Sequence, residues 1–315
     1  MKHHPTPALI SYGLYPFLLA TVIAVTYLSV RLNWNFKSVY GATTVFILAT
    51  LMITERFFPL SKDWSMTGKS FFRDLRYIFL VGPTIGLTKA AVGFFIIHYS
   101  ETNSGPLANM PVALAAIAYL IVFEFFQYWF HRFSHSNKGP VGRFLWKAHV
   151  AHHLPDRVYV LMHAVFHPVN ALLSTLIIQL TLIQLEISPA AALAATLMID
   201  LQSLISHFNV DIRAGFFNYI FIGTETHRLH HAAAEIPASD SIEASTSKTE
   251  SAIDRTRNFG NTLAIWDLVF GTFRYQPGIN PKRLGIDHPE SYPRSEQILS
   301  VLALPWRSGY QKTKV

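Results

Sequence analysis

Nine histidines in this chain occur as tight clusters or at one telling position: His131 and His135; His149, His152 and His153; His207; and His227, His230 and His231. On a helix, residues three and four apart share a face, so each cluster is predicted to aim its imidazoles at one point. Imidazole ligates iron, zinc, copper and nickel, and a histidine pair one helical turn apart is a common way to hold such an ion. Packing many imidazoles beside apolar sequence is costly unless a cation compensates. The clusters therefore predict a site for more than one metal ion, with these nine residues as ligands. His163 and His167 form a further pair at the same spacing, either as additional ligands or as hydrogen-bonding neighbours of the ligands. Glu124 and Asp200 each stand seven residues, two helical turns, before a clustered histidine. Their reach favours hydrogen bonds to ligand imidazoles over direct ligation. His3, His4, His98 and His288 read as incidental.

The elements that must position these residues are apolar. Half the residues are hydrophobic and 14% are charged, against about 25% charged in soluble domains; mean hydropathy is +0.27. There is no cysteine, which excludes disulfides, thiolate metal sites, iron–sulfur clusters and cysteine nucleophiles. The formal charge of +7 is not arranged as a basic stripe interleaved with aromatics. Its residues border apolar segments, which fits an anionic membrane surface and argues against a nucleic-acid partner.

Six apolar segments approach the length of about 20 residues that crosses a bilayer, near 9–30, 39–54, 77–97, 111–130, 160–185 and 190–207. The second and sixth are short enough to be tilted or re-entrant, so four to six crossings are expected. Pro168 and Asn170 predict a kink in the fifth. The first reads as a spanning helix rather than a cleaved signal peptide. Basic residues concentrate in the 55–76 and 131–159 connections and are absent from 98–110 and 186–189. By the positive-inside rule this places all nine clustered histidines on the cytoplasmic side of a bacterial inner membrane or of the endoplasmic reticulum. The predicted fold is thus an all-α integral membrane protein with a cytoplasmic helical cap. Its regions are N-terminal membrane helices over 1–110, a catalytic region over 111–275 with a mobile polar insertion at 232–257, and a C-terminal cytoplasmic tail over 276–315.

Nine imidazoles exceed the four ligands of a closed zinc site and suit two ions with open positions. No H-E-x-x-H motif supplies a zinc protease's general base. Open imidazole coordination beside lipid favours iron that activates dioxygen. A zinc-dependent lipid hydrolase or transferase, and a metal transporter or sensor, remain the alternatives, although a transporter would spread its ligands near the bilayer midplane.

The set H-x-x-x-H, H-x-x-H-H and H-x-x-H-H resembles the fatty acid hydroxylase / sterol desaturase superfamily of membrane di-iron oxygenases. Thr226 to His231 looks like its third box. Asn258-Phe-Gly260, Ile265-Trp-Asp267 and Phe270-Gly-Thr272 look like its closing motif. His167-Pro168 and His207-Phe-Asn209 resemble two further elements, while Val165 stands where members often carry arginine. The resemblance spans roughly 115–275. It implies two iron ions held by the nine histidines, O2 as co-substrate, and hydroxylation or desaturation of an unactivated C–H bond of a lipid, sterol or fatty acyl. The chain has no nucleotide-binding glycine loop and no cytochrome b5-type segment. Electrons are therefore expected from an external reductase with a cytochrome b5-like or ferredoxin-like carrier.

Overall fold

The computed structural model describes residues 6–99, 105–233 and 257–307. The expected polar insertion lies almost wholly outside the described residues, as do His3, His4 and the side chain of His98. The described residues are helical, with no strand and only two isolated bridges, Phe221 to Leu263 and Ala232 to Leu284. The long helices are α1 (Leu14–Arg31, extended backwards by a π-turn at Leu9–Gly13), α2 (Phe36–Phe57), α3 (Gly68–Tyr99), α4 (Val112–Ser136), α6 (Pro168–Leu185) and α7 (Pro189–Ser206). All six are long and apolar enough to cross a membrane. Between and after them lie α5 (Gly139–His153), α8 (Thr224–His230) and α9 (Ile265–Val269).

The element boundaries differ from expectation for identifiable reasons. α2 runs 22 residues from an Asn35 cap whose side chain accepts from Ser38 N, so it is long enough to span. α3 starts nine residues early. Arg73 and Asp74 in its first turns do not interrupt it, because they pair with each other at 2.7 Å and bond Tyr159 and Ser295. The fifth segment is not a kinked helix over 160–185. A 3-10 turn, Val160–Ala164, is separate, and α6 opens at Pro168 with His167 as its cap. Proline lacks an N–H and fits the first helical turn, where none is needed.

α7 is the pillar of the bundle. One face packs Leu193, Leu197, Leu201 and Ile205 against Tyr15, Leu18 and Val22 of α1 and Ile47 and Leu51 of α2. Its other face sets Ala191, Ala195 and Ile199 against Ala115, Ala116, Tyr119 and Phe123 of α4. Alanines opposite alanines let the backbones approach, which is how helices associate where lipid removes the hydrophobic drive. The outer faces carry Leu9, Phe79, Leu87 and Leu114, all exposed, as a lipid-facing surface requires.

α5, α8, α9 and the chain beyond 276 close one end of the bundle. The segment expected as a tail packs back instead, burying Val301 and Leu304 against Val150 and Ala151 of α5. Glu55, near the end of α2, clasps this cap. Its two oxygens accept from Val160 N at 3.1 Å and Asn209 N at 3.0 Å, fixing the chain on either side of the histidine-bearing turns. Glu55→Ala strands both donors, at a cost of about 1–3 kcal/mol each. A lowered thermal midpoint of the detergent-solubilised protein, with membrane insertion preserved, is the expected readout.

Candidate metal centre

The nine clustered histidines converge in the cap in two adjacent groups. Nitrogens of His131, His135, His149, His153 and His230 lie within 4.8 Å of one another, and so do those of His152, His207, His227 and His231. The two groups touch, with the rings of His153 and His231 stacked at 4.4 Å between centroids.

The expectation that each cluster aims at one point is corrected here. In each H-x-x-H-H run the i and i+4 histidines enter one group and the i+3 histidine the other: His149 and His153 against His152, and His227 and His231 against His230. At 3.6 residues per turn, i+4 lies about 40° from i on one side and i+3 about 60° on the other. Two such helices, α5 and α8, can therefore share two centres. α4 adds His131 and His135 to the five-membered group, and His207, at the C-terminal end of α7, joins the four-membered one.

Neighbouring oxygens decide which nitrogen is available on five of the nine rings. His131 Nδ1 donates to Phe259 O at 2.7 Å, His152 Nδ1 to Val165 O at 3.1 Å, and His230 Nδ1 to Arg257 O at 2.9 Å. His207 Nδ1 donates to Ser203 O at 3.2 Å and His149 Nδ1 to Asn170 Oδ1 at 3.0 Å. A carbonyl only accepts, so the ring hydrogen resides on Nδ1 and Nε2 keeps a bare lone pair. His152 Nε2 and His207 Nε2 nevertheless face each other at 3.0 Å. Two lone pairs at that distance repel unless a cation sits with them. Nε2 of His131, His135 and His230 is buried with no partner at all. This donor set fits metal ions, five ligands to one and four to the other.

Electrostatics agree. Burial pushes the His149 imidazole down to about 3, against the opposing pull of Asn170, and His230 to about 4. Burial and neighbouring imidazoles lower His152, His153, His207, His227 and His231 as well. The rings are held neutral, the form that ligates.

His163 and His167 do not act as a pair. His163, on the 3-10 turn, places its ring 5.3 Å from His207 with a buried, unpartnered Nδ1. Burial lowers it to about 4. His167 uses both nitrogens elsewhere, accepting from Val169 N and bonding Leu302 O, and so serves as a helix cap. Glu124 and Asp200 make no hydrogen bond to a clustered imidazole. Glu124 instead accepts from the backbone N–H groups of Asn261, Thr262 and Leu263, and Asp200 from Thr44 Oγ1 at 2.9 Å. His288 pairs with Glu290 at the surface.

Sequence reasoning missed the carbonyl acceptors, because a carbonyl has no residue signature. What holds one of them was visible. Asp267 accepts from Phe259 N at 2.9 Å and Gly260 N at 2.7 Å, turning Phe259 O towards His131. A Cβ on Gly260 would lie 2.5 Å from Leu263 O, so glycine is required. Asn258, at φ 54°, bonds Thr226 O and Arg274 O and ties this turn to α8. The closing motif is thus a clamp on the ligands.

Asp267→Ala should release Phe259 O from His131 and weaken the five-histidine group by about tenfold to a hundredfold. Under chelator challenge, metal content should fall first at that group, leaving one ion per chain. A pH effect follows as well. Unfolded imidazoles titrate near 6.5, while His149, His163 and His230 resist protonation until about 3 to 4. As pH falls from about 6.5 towards 4, the unfolded chain takes up protons that the folded chain refuses, so the metal-free protein loses stability. Thermal unfolding of the metal-free protein at fixed ionic strength should show that loss between about pH 6.5 and 4.

Comparison with known proteins bears on the same residues. Residues 116–272 match the fatty acid hydroxylase family. Over 291 residues the chain is 26% identical to the ornithine lipid hydroxylase OlsE of Rhizobium tropici, covering 89% of this chain and 80% of that protein. No solved structure matches it. The family match takes in both histidine groups and the clamp that orients them, and the chain belongs to the fatty acid hydroxylase superfamily.

Proposed function

We propose that this chain is an O2-dependent di-iron enzyme that hydroxylates an unactivated C–H bond of a membrane lipid. The observation that carries this reading is the pair of bare Nε2 atoms of His152 and His207, 3.0 Å apart, on the wall of a cavity. That cavity, about 470 Å³, is lined by five clustered histidines, His163, and apolar side chains such as Phe123, Phe130, Phe166 and Ile178. It also reaches Ile78 and Gly82 on the exposed face of α3. A lipid can enter such a space from the bilayer, and its apolar walls exclude bulk water from the reacting carbon. Two irons, when bound, supply the reduction of dioxygen and the oxidation of the C–H bond. In balance, the lipid C–H, one O2, two electrons and two protons yield the alcohol and one water. The histidines would hold the ions in neutral form, and the Nδ1 bonds of His131, His149, His152, His207 and His230 fix those ring orientations. The relative's name, a lipid hydroxylase, favours hydroxylation over desaturation.

The electrons come from outside the chain. Lys138 and Arg143 are exposed on the cap beside α5, and Trp146 of that helix lies 5.4 Å from His135 between ring centroids. This surface suits an acidic cytochrome b5-like or ferredoxin-like carrier delivered from the cytoplasm. Basic connections on this side support a cytoplasmic orientation.

Purified protein should hold two irons per chain, one for each histidine group, and consume oxygen as a lipid gains one oxygen atom. Zinc alone with no oxygen consumption overturns the reading. His152→Ala and His230→Ala each take a ligand from a different group and should abolish turnover while membrane insertion persists. Electron transfer insensitive to salt counts against the docking surface.

A further inference from the structure

The cavity has a second, polar end that the histidines do not explain. Asp200 lines it together with Tyr40, Thr44 and Lys89. Asp200 stands seven residues before His207 on α7, so this end lies about 10 Å from the metal groups. The Asp200 carboxylate takes hydrogen bonds from Thr44 and Tyr40, both neutral donors. None of the ion pairs among the described residues includes it. Lys89 acts on it electrostatically without closing such a pair. A carboxylate within a membrane-spanning helix is costly unless it does something. This one is braced by two hydroxyls, points into a lipid-sized cavity, and has a cation across from it.

We infer that Asp200, Tyr40, Thr44 and Lys89 form a head-group subsite for a lipid that carries a protonated amine and an acidic group. The ammonium is received by Asp200 and the acidic group by Lys89. The inference rests on the lipid-hydroxylase reading for the identity of the occupant as a lipid. A carboxylate braced by hydroxyls matches an ammonium, which brings donors and the missing charge together. The lysine opposite matches an anion and repels a lipid that is only cationic. Anchoring the head here leaves about 10 Å to the ions, so the anchor sets which carbon is presented to them.

The test uses metal-loaded full-length protein in phosphatidylcholine nanodiscs and measures retention of three probes. The first is an N-acylated amino-acid lipid with a free amine and a free carboxylate. The second is the same lipid with its amine acetylated, and the third is phosphatidylethanolamine, in which the acidic group is a phosphate. Wild-type protein should hold the first about tenfold or more tighter than the second. Asp200→Asn, which keeps an acceptor for Thr44, should erase that difference with metal content unchanged. Lys89→Gln, at an exposed position, should keep the amine preference while weakening retention of the first and second probes alike, since both carry the free carboxylate. Asp200-dependent retention of either amine lipid supports the subsite, and the tighter of the two identifies the acidic group. Equal retention of the free and acetylated amines by wild type, or a preference that survives Asp200→Asn, overturns it. Hydroxylation is scored separately. Oxygenation without amine preference removes the subsite and leaves the hydroxylase, whereas amine-selective retention without oxygenation of any lipid removes the hydroxylase and leaves the subsite.

Discussion

The rest of the structure depends on where the Nδ1 hydrogens of the clustered imidazoles go. Phe259, Val165, Arg257 and Ser203 each offer a backbone carbonyl, and Asn170 an amide oxygen, to one ring. That single type of bond fixes the tautomer, the ring plane and the direction of the free lone pair. Without it, these five imidazoles would be free to turn their lone pairs away from a metal. The acceptors come from three stretches of the chain, 165–170, 203 and 257–259, so the fold must bring four carbonyls and one side-chain amide to within about 3 Å of the right nitrogen. Most of what lies outside the helices can be understood as meeting that demand.

The supporting interactions form a second tier in which buried carboxylates hold backbone. Glu55 grips the approaches to His163 and His207, Glu124 grips residues 261–263, and Asp267 grips Phe259 and Gly260. Each accepts two or more N–H groups that would otherwise be orphaned, since no strand among the described residues pairs them. The carboxylates thereby do the work that strands do in soluble enzymes, fixing irregular chain with directional bonds. α7 supplies the rigid reference against which all of this is set, since its two faces pack α1, α2 and α4.

Much of this was legible in the sequence, for physical reasons that differ by element. Hydropathy alone located six spans, because length and apolarity are what a bilayer selects. Histidine spacing located the candidate ligands, because helical geometry is regular. It did not reveal that His152 and His230 cross to the opposite group, since that depends on how α5 and α8 face each other. The fate of Pro168 turned on whether a neighbouring residue could cap a new helix, and His167 does so with a ring nitrogen that spacing left open to either ligation or hydrogen bonding beside the ligands. Glu124 and Asp200 were correctly singled out as unusual in apolar helices, yet their partners, a turn 137 residues away and a threonine 156 residues away, are tertiary facts. The acceptor carbonyls were invisible, since any residue has one. Val165 shows the point: its side chain departs from the family pattern, while its carbonyl oxygen accepts from His152.

The clamp built on Asn258, Gly260 and Asp267 also dictates an order of events in biosynthesis. His131 and His135 leave the ribosome long before Phe259, whose carbonyl orients His131, and the ends of the clamp reach Arg274. Val301 and Leu304 then buttress α5 from the far end of the chain. Until those residues have been synthesised, the first box sits at its membrane edge with an undirected ring. The centre therefore matures as a late step, once the segment that carries Val301 and Leu304 has docked on α5.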